Sequence, residues 1–468
     1  MLAVDAGTHL SAVARILERY MADSHLENRP APVTLNSGPF EGLQLPCVSV
    51  NANAAHITRY LIDTYLITHP HLDHISGFVI NTAGLPSARP KRLAALPSTI
   101  AAFKAHIFNN VIWPNLSDEN NGVGLVTYMR LVDGGSPALG DGDGKGYVEI
   151  CEGLSVKALS VSHGHCMENH SHRGSGSGIY PYEYSPENDR PPQRSNPYSV
   201  NNGKVPISPG GYGRKPGQER VCVYDSSAYF IRDIATGHEV LIFGDVEPDT
   251  ISLSPRNLQI WTDAAPKIAS GLLTAIFIEC SYSDSQHDDQ LYGHLAPRYL
   301  IEELRALASC VEATRQDDTD KKRRKRKRPS SAHAAEQSPR RSPRVSNAGQ
   351  PSPDAVRPRR SHLESSSIPS ARSQDLDGPV SDSPISPTSH PLADRSLSVK
   401  DDPRTVDAAN ASQLPLKGLK IYIIHVKDSL EDIEPAGETV LRQMCAYEEE
   451  EKLGCEFVLG SPGMSVYL

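Results

Sequence analysis

At 468 residues the chain can form one large α/β sandwich with insertions, or two ordinary domains. Its hydrophobic content of 38% is low for a fully globular chain of that length, so part of the sequence lies outside any core. The net charge of −9 hides an asymmetry, because basic residues bunch between 321 and 360, and a uniform electrostatic reading is excluded. The eight cysteines are scattered without a Cys-x-x-Cys pair, and several sit in apolar runs, which favours a reducing compartment. No signal peptide is evident, and no apolar stretch approaches the roughly 20 residues that span a bilayer. The expectation is a soluble, intracellular protein.

In chain order, LAVDAG reads as a short buried strand. From Thr8, Leu10, Val13, Leu17, Tyr20 and Met21 recur at helical spacing. A further helical segment, AAHITRYL, leads into TYLITHPHLDH, where Tyr65–Thr68 reads as a strand that delivers polar residues at its end. KRLAALP is another strand, followed by a helix over STIAAFKAHIFNNVI capped by Ser98. A hairpin is expected from Tyr147 to Val161, turning at Glu152-Gly153, and SAYFIRD and HEVLIFGD are strands joined at Ala-Thr-Gly. LLTAIFIEC and LKIYIIHV are continuous apolar runs, as in strands covered on both faces, and PRYLIEELRALASC between them is helical. Strands interleaved with helices suit two sheets flanked by helices better than a single doubly wound sheet.

Two tracts fall outside this pattern. Residues 166–220 are rich in Gly, Pro, Ser, Asn and Tyr and read as a surface insertion. Residues 313–414 are Ser/Pro/Arg-rich with few large hydrophobes, too few to offset the entropy of ordering. Because a buried-strand pattern resumes at IYIIHV, the second tract is expected to be a disordered insertion within a single domain spanning 1–468.

The decisive segment is His69-Pro70-His71-Leu72-Asp73-His74. Three imidazoles and a carboxylate at the mouth of a strand have metal-ligand spacing. Extended backbone points His69 and His71 the same way, and Asp73 and His74 can reach a second ion a few ångströms away. Two ions suit phosphoester chemistry, since they clamp the substrate and generate hydroxide near neutral pH. Other polar residues also end apolar runs: His163 after KALSVS, Asp245 after VLIFG and His425 after KIYII.

His-x-His-x-Asp-His followed by a downstream His, Asp and His resembles the ligand order of the metallo-β-lactamase superfamily. The longer THPHLDHISGFVINT resembles the signature of the class II cyclic-nucleotide phosphodiesterases, the fungal low-affinity type included. HIFNNVIWPNL, SAYFIRD, IFGDVEPD, IECSYSD and LYGHL add to the likeness. The resemblance implies a metallo-β-lactamase-like αββα sandwich with two irregular insertions. Family members carry further N-terminal strands and a glycine-rich loop before LAVDAG, so a truncated N-terminus is expected. It also implies two divalent ions, zinc by preference, with His69, His71 and His163 on one, Asp73, His74 and His425 on the other, and Asp245 bridging. His165, two residues on, is the alternative to His163, which the resemblance favours.

The implied reaction is opening of the 3′ ester of a cyclic nucleotide by a metal-bridging hydroxide, giving the nucleoside 5′-monophosphate and controlling cyclic-nucleotide signalling. Asp73 belongs to the catalytic set; His294 in LYGHL is the candidate for phosphate contact or general acid, oriented by Glu279. For base recognition the places to look are Asn81, Trp113 and Asn115, with Asn81 the named substrate contact. His170, His172, His238 and His287 are expected to have no role. Two other readings stand beside this one: another hydrolase of the fold, such as a tRNA 3′-processing nuclease, and a non-catalytic scaffold. HISGFVINT and WPNL favour the phosphodiesterase.

Lys321 to Arg328, KKRRKRKR, resembles a nuclear-localisation or nucleic-acid-contacting patch, so a cytoplasmic or nuclear location and an import factor or nucleic acid as partner are expectations. No aromatics interleave with the charges, which argues against base stacking there.

Overall fold

The computed structural model describes residues 1–22, 32–85, 89–140, 142–168, 220–327, 414–428 and 434–467. The smaller of its two main sheets comprises β1 (Leu2–Val4), β4 (Thr64–Leu66), β5 (Lys91–Ala95) and β6 (Val126–Arg130) in that spatial order, every neighbouring pair parallel. The larger comprises β13 (Glu456–Leu459), β12 (Lys420–Ile424), β11 (Leu273–Glu279), β10 (Glu239–Phe243), β9 (Arg220–Asp233), β8 (Leu154–Glu168) and β7 (Val148–Cys151). The pairs β10–β11, β11–β12 and β12–β13 are parallel, while β7, β8, β9 and β10 form an antiparallel meander. A small pair, β2 (Val33–Thr34) with β3 (Gln44–Leu45), stands apart beside α1 (Leu10–Ala22) and α2 (Val50–His56).

Three apolar layers show how the sheets are used. Leu66, Ala94, Ile150, Val156, Ala158, Tyr229 and Ile231 join the inner faces of the two sheets. The outer face of the small sheet packs Tyr65, Leu93 and Val126 against α3 (Leu72–Asn81) and α4 (Pro97–Ala102), whose Ile75, Phe78 and Ile100 are buried. The outer face of the large sheet packs Phe230, Leu241, Ile276 and Ile421 against α5 (Asn257–Ala269), α6 (Pro297–Lys327) and α7 (Ala436–Glu451). Each fully buried Phe, Leu or Ile in these layers contributes about 1.5–3 kcal/mol. The architecture is thus the αββα sandwich, and the apolar runs of β11 and β12 are covered on both faces because they lie inside it.

Three local expectations are corrected. The helix expected from Ser98 begins at Pro97, with Leu96 in the cap position. Proline is preorganised for the first helical position, where its missing N–H is not needed. That helix widens into a π-type turn over Phe103–Ile107 and stops, because Asn109 Oδ1 accepts the backbone N–H groups of Val111 and Ile112 and turns the chain out. Residues 313–327 of the second tract are helical, since α6 continues to Lys327. Its Glu, Ala, Arg, Gln, Asp and Lys residues propagate a helix already nucleated in the core, and Asp318 and Lys321 face each other one turn apart. The expected 166–220 insertion starts two residues inside the ladder, because Glu168 pairs with Arg220. Its remainder, with His170 and His172, and the tract from 328 to 413 lie outside the described residues. The strands before and after that tract, β11 and β12, are direct parallel neighbours, Ala275 opposite Lys420.

Candidate metal centre

The centre forms where strands of both sheets end. Past β4 the chain bends at Thr68 and reaches His71, which is extended and occupies the cap position of α3, so Asp73 and His74 fall in the first helical turn. β8, β10 and β12 all run in one direction, and carry His163, Asp245 and His425 to the same edge. Close backbone contact fixes α3 in place: Ala6 N–H donates to His74 O at 2.7 Å and Phe78 N–H to Ala6 O at 2.9 Å. Gly77 permits this approach, since a Cβ there would stand 2.2 Å from the Thr8 carbonyl oxygen.

Two clusters result. Donor atoms of His69, His71, His163 and Asp245 lie within 4.8 Å of one another, as do those of Asp73, His74, Asp245 and His425. Asp245 is shared, one oxygen to each. Its Oδ2 lies 3.7 Å from His69 Nε2 and 3.6 Å from His163 Nε2, while its Oδ1 lies 3.2 Å from His74 Nε2 and 3.3 Å from His425 Nδ1. Asp73 Oδ2 is 3.3 Å from His425 Nε2. Ligands held at about 2.1 Å around a tetrahedral ion are separated by about 3.4 Å. The donor spacing therefore fits metal ions.

The opposite ring nitrogens are engaged. His69 Nδ1 donates to Thr68 Oγ1 at 3.0 Å, His74 Nδ1 to Asp5 Oδ2 at 2.8 Å, and His163 Nδ1 to Gly293 O at 2.9 Å. Each bond leaves Nε2 aimed at the cluster, the arrangement in which ligating histidines are oriented and made more basic. His69 Nε2 and His74 Nε2 are buried and make no hydrogen bond among the described residues. Buried imidazole nitrogens without such a partner, ringed around a carboxylate, fit a metal site.

Burial lowers His69 well below the usual histidine value, and its histidine neighbours add to this. Burial likewise lowers His163 to about 4 against the pull of Asp245. Burial opposes the cationic form of His74 too, but the Asp245 and Asp5 carboxylates beside the ring outweigh it and raise that pKa to about 10. Asp245 stays ionised: burial favours its neutral form, and His74, His425 and His69 overcome it.

A third group, His163, Glu279 and His294, adjoins the first cluster. His294 Nδ1 donates to Glu279 Oε1 at 2.9 Å. Glu279 also accepts from Val246 N–H, Ser281 Oγ–H and Leu295 N–H. Burial opposes a charged His294, yet Glu279 prevails and the pKa is raised. A cavity of about 570 Å³ opens on the second cluster, with Asp73, His74, Asp245, Glu279 and His425 in its wall.

The structure brings together His69, His71, Asp73, His74, His163, Asp245, His425, Glu279 and His294. It does not bring Asn81. That residue sits at the far end of α3, nine residues or about 13 Å of helix beyond Leu72, with its amide donating to Gly77 O. Asn115 is used within its own loop, bonding Glu119 O, Asn120 O and Ser117, and Trp113 packs against the small-sheet core. His165, His238 and His287 are exposed and join neither cluster. Sequence reasoning missed Asp5, although it ends an apolar strand just as Asp245 does. It also missed Ser281, whose hydroxyl serves Glu279 and lies 3.2 Å from His425 Nδ1.

Known proteins place this geometry. The chain matches the family described as cAMP phosphodiesterases class-II over residues 3–167 and 182–319. It is 28% identical over 314 residues to a 3′,5′-cyclic-nucleotide phosphodiesterase of Schizosaccharomyces pombe, covering 67% of this chain and 68% of that one. With the Candida albicans 3′,5′-cyclic-nucleotide phosphodiesterase the identity is 32% over 263 residues, 53% of this chain and 55% of the relative, so the match spans about half of that protein. The crystal structure of unliganded yeast PDE1 shares the fold, with a TM-score of 0.50 at 18% identity over 99% of this chain and 89% of the yeast chain. Among the described residues no helix is long and apolar enough to cross a membrane. With most of its first 319 residues matched to one family, the chain belongs to the class-II cAMP phosphodiesterases.

Proposed function

We propose that the chain hydrolyses 3′,5′-cyclic nucleotides, cyclic AMP foremost, to nucleoside 5′-monophosphates. The observation that carries this reading is the shared carboxylate of Asp245, with one oxygen turned to each cluster. His69, His71 and His163 would hold one ion, Asp73, His74 and His425 the other, and Asp245 both. The imidazole-rich donor set favours zinc. When bound, such ions supply positive charge for the phosphoryl oxygens and lower the pKa of water.

The protein's own groups would act around that chemistry. Glu279 holds the Nδ1 proton of His294 and so fixes the ring. Nε2 is then free to give a proton to the departing 3′ oxygen. Glu279 raises the His294 pKa above the ordinary histidine value, which favours the protonated ring that a general acid needs. Asp73 is half exposed at the mouth of the second cluster, where it would orient the attacking water.

A single catalytic domain carrying two insertions is supported by the direct pairing of β11 with β12 across the 328–413 tract. The exposed charges of Lys321, Lys322 and Arg323 on α6 support an intracellular role with an acidic import factor or nucleic acid as partner.

The test is hydrolysis of cyclic AMP by the purified chain before and after chelation, with products separated. Chelator-sensitive release of 5′-AMP, restored by zinc, is expected. Zinc-loaded protein without turnover would refute the reading.

A further inference from the structure

The sequence LYGHL supplies more than His294. Leu291, His294 and Leu295 are buried, whereas Tyr292 between them is 70% exposed. Its backbone is left-handed, φ 52°, and Gly293 follows at φ 83°. Glycine adopts that region freely; a bulky aromatic residue does not. Holding tyrosine there is strained, and such strain persists only where the surroundings impose it.

The surroundings here are the metal-ligand cluster. The carbonyl of Gly293 accepts the Nδ1 proton of His163 at 2.9 Å. Backbone of Tyr292 and Gly293 packs on Gly164, the residue after that ligand, so closely that a Cβ on Gly164 would lie 3.3 Å from Gly293 Cα. The left-handed pair therefore does two things at once. It brings a carbonyl to His163, and it leaves the Tyr292 side chain exposed one residue from that carbonyl. Tyr282 stands edge-on to His294, ring centroids 5.9 Å apart.

An exposed aromatic residue is ordinary in itself. One held in a disfavoured conformation, two residues from the candidate acid and fixed through its neighbour to a candidate ligand, needs a partner for its face. A cyclic nucleotide whose phosphate sits on the centre carries such a partner, because every nucleobase has a flat π-face. We propose that Tyr292 is the platform on which the substrate's base stacks. This assignment rests on the cyclic-nucleotide reading and replaces Asn81, Trp113 and Asn115 as the place of base contact. Stacking tolerates different bases, so Tyr292 would serve adenine and guanine alike.

Base–aromatic stacking is worth about 1–3 kcal/mol, or roughly 5- to 100-fold in affinity. The experiment compares the full-length protein with Tyr292→Ala, Tyr292→Asn and Tyr292→Phe on two substrates. One is cyclic AMP; the other is methyl ribofuranoside 3′,5′-cyclic phosphate, which keeps the reacting ring and has no base. Asparagine tolerates the left-handed backbone, so its loss of activity cannot be blamed on a broken turn. Alanine and asparagine should raise KM for cyclic AMP about 5- to 100-fold, with kcat much less affected. The preference for cyclic AMP over the base-free compound should collapse accordingly, and phenylalanine should restore it. Unchanged KM in Tyr292→Ala and Tyr292→Asn overturns the assignment, as does a parallel loss on both substrates. If the parent protein cleaves the base-free compound but not cyclic AMP, the cyclic-nucleotide reading itself fails, and the assignment with it.

Discussion

Asp5, at the end of the first strand, accepts the Nδ1 proton of His74 at 2.8 Å, and the same carboxylate takes the backbone N–H and the hydroxyl of Thr68. Asp5 thus braces two arms of the centre, since Thr68 in turn accepts from His69 Nδ1. An amide in its place would lose the anionic acceptor while keeping the volume. Asp5→Asn is expected to weaken metal binding about 10- to 100-fold, with the circular dichroism spectrum retained. Competition with a chromophoric chelator measures this; an affinity equal to that of the parent would show that Asp5 serves only the backbone.

Asp245→Asn should strike both clusters, because one carboxylate faces each. Metal content measured by mass spectrometry is expected to fall from about two ions per chain to one or none, and hydrolysis by more than about 100-fold. Retention of both ions would remove the shared-ligand assignment.

Glu279→Gln separates proton donation from metal binding. The carboxylate contacts His294 but belongs to neither of the two clusters that share Asp245. The variant should keep its metal and lose roughly 100- to 10,000-fold in kcat on cyclic AMP. On a p-nitrophenyl phosphodiester, whose leaving group departs without a proton, the loss should be far smaller. Equal losses on both substrates would mean that Glu279 merely positions the ligands.

Replacing residues 328–413 by a flexible Gly/Ser linker of about 20 residues should leave the catalytic unit folded. Closure entropy changes slowly with loop length, so Tm should shift by less than about 4 °C. Activity on cyclic AMP should be kept. An insoluble or metal-free product would show that the tract is part of the core.

Much of the centre was legible because ligand spacing and strand patterning are local. His69, His71, Asp73 and His74 lie within six residues, and His163, Asp245 and His425 each follow an apolar run. The choice between His163 and His165 was not legible from periodicity, since period-two alternation puts both on one face. The β-bulge between Ser162 and His165 breaks that alternation, burying His163 and exposing His165. Asn81 is a related case. Proximity in sequence to the candidate ligands does not mean proximity in space, since α3 carries Asn81 about 10 Å along its axis past His74.

The sequence by itself determined the donor types, because apolar runs ending in His or Asp report strand-end chemistry directly, while the αββα class and the family came through the resemblance carried by THPHLDHISGFVINT. Only the tertiary structure decided which atoms meet. Asp5 reaches His74 across 69 positions, Gly293 reaches His163 across 130, and Asp73 meets His425 across 352. Those contacts follow from the parallel registers of β1 with β4 and of β10, β11 and β12, which align strand ends from distant parts of the chain. Sheet register is a property of paired strands, and local periodicity does not encode it.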